Sequence, residues 1–243
     1  TILGGAAVLL YIGDGDLPVF VPIETYGLTI QPHLPAIPLF TLAGFILAQG
    51  KASERLLRVF RAGVGWIPGG TAIVCVLLCA FFTVFTGGSG VTILALGGLL
   101  FPALLRDGYR ERFSLGLLTA SGSLGLLFPP AMPLILYAIV AQVAPDDLFV
   151  AGVVPGILLM GLVVAWGVRE GVVTGAGRHA FGWPELRAAL WEAKWELSIP
   201  FAVLGVLFSG FTTLVETAAF TALYAAVIRG LIHRDFSLGR GLH

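Results

Sequence analysis

Residues 67–105 read IPGGTAIVCVLLCAFFTVFTGGSGVTILALGGLLFPALL, and this stretch decides the fold. It contains no Asp, Glu, Lys, Arg or His, and the glycine-rich segment 86–90 divides it into two apolar arms. Irregular backbone at membrane depth is tolerated only where it lines water or a protein cavity. The pattern therefore predicts two helices joined by a polar tip, and it makes that tip a candidate binding site.

Basic residues at both ends of this stretch predict its orientation. They are Lys51, Arg55, Arg58 and Arg61 before it, and Arg106, Arg110 and Arg112 after it. Because basic residues mark the cytoplasmic side of a membrane, we expect both ends to lie in the cytoplasm. The stretch would then enter the membrane and return, as a re-entrant helical hairpin rather than as two ordinary spans.

The composition is that of an integral membrane protein. Hydrophobic residues make up 57% of the chain and charged residues 12%, with a mean hydropathy of +0.95, whereas soluble domains contain about 25% charged residues. At roughly 20 residues per span, the chain has room for several helices. The formal net charge is +0, so nothing indicates a nucleic-acid partner.

The sequence contains no pattern typical of an enzyme or a metal centre. Cys75 and Cys79 lie one helical turn apart in an apolar arm, where they are expected to be small core residues. His33 and His179 lie in expected loops without ligand spacing. No nucleophile–base set or phosphate-binding loop is present either, so we expect no catalysis and no cofactor.

Apolar segments are expected to form helices before the hairpin. Residues 2–12 and 37–48 are two such segments, and residues 14–35 between them carry acidic but no basic side chains, which predicts a loop on the outside. Residues 51–65 place apolar side chains on one helical face and basic side chains on the other. That pattern predicts an amphipathic helix lying along the membrane surface.

A second interrupted helix is predicted after the hairpin. Residues 113–168 contain no Lys or Arg, and their only charges are Asp146 and Asp147, which predicts two spans joined by an outside turn at residues 145–147. The first span is expected to break at the Ser/Gly segment 121–125 and again at residues 128–130. Proline lacks an amide donor and frees a carbonyl four residues back, so the proline pair predicts an unwound helix.

The rest of the chain predicts a return span, a polar segment and a final pair of spans. The return span covers residues 148–168, and the tryptophans of the polar segment 169–196 are typical of a helix at the headgroup level. Residues 197–214 and 217–228 are expected to lead out and back. Glu216 falls at the turn between them, and it is a possible functional residue because carboxylates at membrane depth usually are.

Two broken helices at membrane depth are typical of secondary transporters, whose free carbonyls coordinate Na⁺ or H⁺ and whose free amides face anionic substrate groups. No carboxylate is available at membrane depth in the first two hundred residues for a proton relay, which favours Na⁺. Alternatively, the small residues only allow close helix packing. The predicted ion- or substrate-binding residues are Thr86, Gly87, Gly88, Ser89, Gly90, Thr92, Ser121, Gly122, Ser123, Gly125, Pro129 and Pro130. Those expected to share one Na⁺ are Thr86, Gly87, Ser89, Ser121 and Gly122.

Several segments, taken in order, resemble a known family. They are Ile37-Pro38-Leu39-Phe40 with Leu42-Ala43-Gly44; Gly87 to Thr92 with Gly97, Pro102 and Gly108-Tyr109; Ser121 to Gly125 with Pro129-Pro130 and Tyr137; Ala151-Gly152 with Pro155-Gly156; and Gly210, Thr213, Glu216 and Ala218-Ala219. Together they resemble the large membrane subunit of tripartite ATP-independent periplasmic (TRAP) transporters, and Thr213 thereby joins Glu216 as a possible site residue.

The chain departs from the family pattern at several positions. The family's hairpin tip usually reads Ser-Gly-Ser-Ser, so Gly88 lacks a hydroxyl here. Ala131 replaces a serine after the proline pair, and Leu214 and Val215 replace Pro and Thr. With fewer hydroxyls, main-chain carbonyls are expected to dominate an ion site.

The resemblance implies an all-α, inverted-repeat elevator transporter of the ion transporter superfamily in a bacterial or archaeal inner membrane. It implies organic-acid substrates such as C4-dicarboxylates or sialic acid, and Na⁺ remains the expected coupling ion on the residues themselves. A small four-helix membrane subunit and a periplasmic substrate-binding protein would be its partners. The chain is expected to be a fragment of a longer permease, with scaffold-type spans and an arm helix in residues 1–66. A transport-type hairpin and broken helix would occupy 67–147, a return span and linker 148–196, and the start of a second repeat 197–243.

Other functions stay open on the residues alone. A one-component carboxylate transporter of the same superfamily would need no binding protein. A non-transporting membrane subunit would need neither an ion nor two broken helices. A membrane-embedded enzyme would need clustered His, Asp or Cys residues at membrane depth, and the sequence offers none.

Overall fold

The computed structural model describes residues 2–15, 19–48, 51–177 and 180–232, and this part of the chain is helical, with no strand. The α-helices are α1 (Ile2–Gly13), α2 (Phe20–Thr29), α3 (Ala36–Ala48), α4 (Ala52–Val64), α5 (Gly70–Thr86), α6 (Ser89–Arg106), α7 (Glu111–Leu124), α8 (Met132–Ala141), α9 (Pro145–Thr174), α10 (Trp183–Glu192), α11 (Lys194–Phe208) and α12 (Leu214–Val227). The all-α prediction is confirmed. His179 lies outside the described residues.

Helices α5 and α6 form the predicted hairpin. Only Gly87 and Gly88 separate them, and their outer ends lie together because the Thr71 hydroxyl donates a hydrogen bond to the Asp107 carboxylate. Helix α9 packs against both outer ends of the hairpin. A Cβ at Gly171 of α9 would lie 2.6 Å from the Cα of Gly69, just before α5, and 2.5 Å from the hydroxyl of Tyr109, just after α6. That both ends face the cytoplasm stays a prediction.

Helix α5 lies at the centre of the hydrophobic core. It contacts α3, α4, α6, α7 and α9, and the Phe82 and Phe85 side chains are each 1% exposed. Cys75 and Cys79 are free and fully buried, so their predicted role as small core residues is confirmed.

The broken helix begins later than predicted. Residues 121–124 remain helical, and the break starts at Gly125 with a 3-10 turn (Gly125–Leu127). The missing amides of Pro129 and Pro130 would have bonded to the carbonyls of residues 125 and 126, which explains why the helix ends there. Serine does not break it, because the Ser123 hydroxyl donates to the Ala120 carbonyl at 2.8 Å within the helix. After the break, α8 runs at 47° to the preceding part.

Three other boundaries differ from the sequence-based expectations. The expected loop at residues 14–35 contains α2, whose Pro22 falls in the first turn, where no amide partner is needed. The turn that was predicted to lie outside is at residues 142–144, because Pro145 and the two aspartates that follow start α9 instead. Helix α9 then continues to Thr174, and α11 covers Lys194–Phe208 rather than 197–214.

Ion pairs fasten the amphipathic helix α4 to the later helices. The Arg55 guanidinium lies 2.7 Å from the Glu196 carboxylate of α11, and Arg58 lies 2.9 Å from Glu192 of α10. Helix α12 packs along α3, and Arg229, in the π-helical turn (Ile228–Ile232) that follows α12, donates to the Ile46 carbonyl of α3 at 2.9 Å. The placement of α4 along the membrane surface stays a prediction.

Two helices within the described ranges, α6 and α9, are each long and apolar enough to cross a bilayer. The bent pairs α3–α4 and α7–α8 would raise this number to four if each counted as one span. Apolar helices and bent pairs of this kind are those of a polytopic membrane protein.

Candidate ion and substrate site

Three buried threonine hydroxyls hold the hairpin together just below its tip. The Thr83 hydroxyl lies 2.8 Å from the Thr92 hydroxyl, and the Thr86 hydroxyl lies 2.9 Å from the same group. All three side chains are at most 4% exposed. Thr86 and Thr92 were predicted as site residues, and the structure shows that they bond to each other across the hairpin.

The hairpin contacts the C-terminal end of α7. The Thr83 hydroxyl lies 2.9 Å from the Gly122 carbonyl oxygen, and a Cβ at Gly122 would lie 3.3 Å from the Ser89 carbonyl oxygen. A Cβ at Gly125 would lie only 2.5 Å from the Ala80 carbonyl oxygen. The structure therefore brings Ser89, Gly122 and Gly125 into one contact region, and an added Cβ at Gly122, at the end of α7, or at Gly125, in the 3-10 turn, would push the hairpin away.

The tip itself depends on Gly87. Its φ of +64° is in the left-handed region, and its amide donates to the Thr83 carbonyl at 2.9 Å, which ends α5. A Cβ there would lie 2.5 Å from the Met132 methyl group, at the start of α8. Gly87 thus lets the hairpin turn and lets the far side of the break approach the tip.

The first turn of α6 has no side-chain cap. Gly88 stands at the N-cap in extended backbone (φ −142°, ψ 120°) and offers no side chain to bond the first amides. Ser89 begins the helix half-buried, and Gly90 is exposed. Uncapped amides at a helix N-terminus form a ready site for an anionic group.

Ser121 does not reach the hairpin tip. Its hydroxyl is fully buried and lies beside the Cys75 thiol of α5. Cys75 precedes Thr86 by 11 residues, which is about 16 Å along a helix. The expectation that Ser121 and Thr86 bind one ion together thus gains no support from their positions.

The other predicted residues lie around the break or away from it. Ser123 is exposed on the far face of α7, while Pro129 is half-buried and Pro130 buried between the 3-10 turn and α8. Thr213 and Glu216 form a capping box at the start of α12, in which the Glu216 carboxylate accepts from the Thr213 amide at 2.7 Å. Both residues thus cap α12, and their possible role in binding stays a prediction.

Sequence reasoning missed Thr83 and Met132. Thr83 precedes the glycine-rich tip by one helical turn and looks like one more small residue of an apolar arm. A signal was available, because Thr83, Cys79 and Cys75 recur at four-residue spacing and so mark one face of α5. Nothing in the sequence shows that this face meets α7.

The oxygen donors near the tip fit a hard cation. They are neutral hydroxyl and carbonyl groups, which are the ligands that Na⁺ prefers by the same logic as other hard cations. The negative end of the α5 dipole also points at the tip and favours positive charge there. A cation could bind at the end of α5, while an anionic group could bind the amides of α6.

The family model for the DctM component of tripartite ATP-independent periplasmic transporters matches residues 1–243. The chain belongs to the TRAP transporter large permease family. Its members are transporters and not enzymes, as the sequence predicts.

Similar proteins support this assignment, and their names give different substrates. The isethionate TRAP transporter permease protein DctMQ of Oleidesulfovibrio alaskensis is 34% identical over 98% of this chain and 38% of its own length. The C4-dicarboxylate TRAP transporter large permease protein DctM of Vibrio cholerae is 31% identical over 96% of this chain and 52% of its own. The ectoine/5-hydroxyectoine TRAP transporter large permease protein UehC of Ruegeria pomeroyi is 33% identical over 98% of this chain and 56% of its own length. The chain thus spans about half the length of these relatives or less.

Proposed function

We propose that this chain is part of the large permease subunit of a Na⁺-coupled, binding-protein-dependent transporter that takes up an organic acid. The observation that carries the proposal is the contact between the hairpin tip and α7, at Thr83, Ser89 and Gly122. This contact joins two interrupted helices, and interrupted helices supply the free carbonyls and amides on which secondary transporters rely.

The two ends at the tip would do different work. Carbonyls at the end of α5, with the Gly87 and Gly88 carbonyls, would replace the water around Na⁺. The uncapped first turn of α6, at Ser89 and Gly90, would face a carboxylate of the substrate. A bound cation and a bound anion only a few ångströms apart would stabilise each other. Such mutual stabilisation couples substrate binding to Na⁺ binding.

The hairpin would move as a unit in this proposal. Its outer ends are fastened by Thr71 and Asp107 and its tip by the three threonines, so α5 and α6 can shift together without separating. An elevator movement past a static scaffold, in a bacterial or archaeal inner membrane, would carry the site across the bilayer. Helix α4, held by Arg55 to Glu196, would brace that scaffold.

The substrate and the partners follow from the family. The names of the relatives include C4-dicarboxylate, isethionate and ectoine, and each of these molecules carries at least one carboxylate or sulfonate. An acidic group at the α6 amides is therefore common to them. We propose a C4-dicarboxylate or sialic acid type of substrate, delivered by a periplasmic binding protein to the permease and its small four-helix membrane subunit.

The test is transport by the complete system. The full-length permease would be reconstituted with its small subunit, and uptake of labelled C4-dicarboxylate, sialic acid, isethionate and ectoine measured with and without the binding protein and a Na⁺ gradient. We expect uptake of one acid that requires both. Uptake without the binding protein would favour the one-component transporter, and uptake driven only by a proton gradient would contradict Na⁺ coupling.

A further inference from the structure

Helix α10 turns its acidic residues toward α4. The Glu192 carboxylate lies 2.9 Å from the Arg58 guanidinium, and Glu185 lies 3.9 Å from the same group. Ala189 between them is 1% exposed. This inward face is therefore occupied by an ion-paired contact with the amphipathic helix α4.

The opposite face of α10 is aromatic and basic. Trp183 and Trp191 are 68% and 73% exposed, and Arg187 stands between them, also exposed. These residues recur every four positions, so they share one face of the helix. Lys194 extends the face at the start of α11, with its ammonium 3.8 Å from the centre of the Trp191 ring. We call these four residues the outward face.

The charges of the outward face are unbalanced. Within the described part of the chain, neither Arg187 nor Lys194 lies within ion-pairing distance of a carboxylate. The two acidic residues of α10 point the other way, to Arg58. The outward face therefore presents two cations and two indole rings, and it is complementary to a surface of negative charge.

The position of this face fits the edge of a bilayer. Helix α11 starts at Lys194 and is apolar from Ile199 to Phe208, with Phe201 75% exposed, as a helix in contact with hydrocarbon would be. Tryptophan is enriched where an apolar helix meets the headgroup region. Helix α10 has only 10 residues and is too short and too polar to cross the membrane itself.

We propose that the outward face of α10 is a binding surface for the headgroups of anionic phospholipids. The indole rings of Trp183 and Trp191 lie at the level of the glycerol and carbonyl groups, and Arg187 and Lys194 bind the phosphates. Basic residues next to a membrane helix are attracted to anionic lipid in this way. The surface fixes the height of α10 relative to the bilayer, and the packing of α10 on α4 fixes that of α4.

Native mass spectrometry of the full-length permease tests the charge. The purified protein in mild detergent is titrated with phosphatidylglycerol or with phosphatidylcholine, and retained lipid is counted. Replacing both Arg187 and Lys194 by Ala should weaken phosphatidylglycerol retention about thirty-fold, since each cation near an anionic surface contributes about five-fold. Phosphatidylcholine retention should not change.

A matched variant controls for the loss of any two cations. Lys51 and Arg106 are also exposed, have no ion pair within the described residues and lie over no tryptophan ring, so the K51A/R106A double variant removes one lysine and one arginine elsewhere. It should keep most of its phosphatidylglycerol. An equal loss in both double variants, or no loss in the R187A/K194A variant, would overturn the proposal. Thermal unfolding of both variants should match the parent protein, because all four side chains are exposed.

A depth measurement separates lipid from a protein partner. Ala188 is exposed beside the outward face, while Cys75 and Cys79 are buried, so a nitroxide on A188C reports this surface in a permease that carries no other accessible cysteine. In phosphatidylglycerol nanodiscs, we expect the label at headgroup depth with or without the small subunit. A label in bulk water, or one immobilised only by the small subunit, would contradict lipid binding.

Discussion

The Thr71 hydroxyl donates a hydrogen bond to the Asp107 carboxylate, across the two outer ends of the α5–α6 hairpin. The two residues are 36 positions apart, so the bond closes the whole hairpin rather than a local turn. The Asp107 carbonyl also accepts the Gly177 amide at 2.9 Å, which adds the segment after α9 to the same junction. The base of the hairpin is therefore fixed to the helix behind it.

Replacing Thr71 by Val should destabilise the permease. The substitution leaves the Asp107 carboxylate without one hydrogen bond in a partly buried place, and such a loss costs about 1–3 kcal/mol. Thermal unfolding of the full-length protein measures it. T119V is the matched control, because Thr119 is exposed and bonds only to the Leu115 carbonyl of its own helix. An equal fall in Tm for both variants would show that the hairpin base is not special.

The Arg55–Glu196 ion pair should matter far more than the neighbouring Arg58–Glu192 pair. The Glu196 side chain is 1% exposed and that of Arg55 12%, whereas the Arg58 and Glu192 side chains are 49% and 46% exposed. Removing one partner of a buried pair costs about 3–5 kcal/mol, and an exposed pair contributes about 0–1 kcal/mol. E196A should therefore lower Tm clearly and E192A hardly at all. Similar Tm values for the two variants would contradict the burial of the α4–α11 contact.

Gly87 and Gly88 are adjacent in sequence but should respond oppositely to substitution. Gly87 has a φ of +64°, and an added Cβ would lie 2.8 Å from the Met132 Cβ. A left-handed conformation costs a residue with a side chain about 1–2 kcal/mol, so G87A should unfold at a lower temperature. Gly88 is extended and has room, with Val91 no closer than 3.5 Å to an added Cβ.

G88S should thus leave Tm unchanged or raise it slightly, because serine is a good N-cap residue. It would also restore the hydroxyl that the family's hairpin tip usually carries. A loss of stability in G88S equal to that in G87A would show that the tip geometry differs from the one described.

The hairpin could be predicted from sequence because two uncharged arms and a glycine-rich tip leave few other structures at membrane depth. The position of the break in α7 could not be predicted correctly, since serine and glycine can break a helix or remain in one. The position of the break is set instead by Pro129 and Pro130, which have no backbone amide to donate. Helix α2 was missed because the glycine and proline residues of segment 14–35 are typical of loops and turns.

The site was predictable in outline only. Thr86, Gly87 and Ser89 lie at the tip by chain connectivity, so their proximity follows from the hairpin itself. That Gly122 meets Ser89, whereas Ser121 lies beside Cys75, depends on how α7 is rotated against α5. Rotation is set by the packing of whole helices, and a single sequence does not reveal it.

Thr83 should act on transport as a positioning residue. Its hydroxyl lies 2.7 Å from the Cys79 carbonyl oxygen of its own helix, 2.8 Å from the Thr92 hydroxyl and 2.9 Å from the Gly122 carbonyl oxygen. The two carbonyls share its single proton, so T83V would weaken the contacts to Thr92 and Gly122 while keeping the shape of the side chain. We expect slower Na⁺-dependent uptake and a higher half-saturating Na⁺ concentration, with protein yield close to that of T119V. A T83V protein with parental Na⁺ dependence would show that the tip needs no such support.

The most direct test of the central claim is the Na⁺ dependence of uptake in proteoliposomes containing the complete permease, comparing G122A with G116A. An added Cβ at Gly122 would lie 2.8 Å from the Ile93 side chain and 3.3 Å from the Ser89 carbonyl oxygen, whereas Gly116 of the same helix has nothing within 4 Å. A displaced tip that loses about 1 kcal/mol of ion binding would need about five-fold more Na⁺ for half-maximal uptake. The account predicts that rise in G122A and none in G116A. Identical Na⁺ dependence in the two variants, or equally fast uptake without Na⁺, would contradict it.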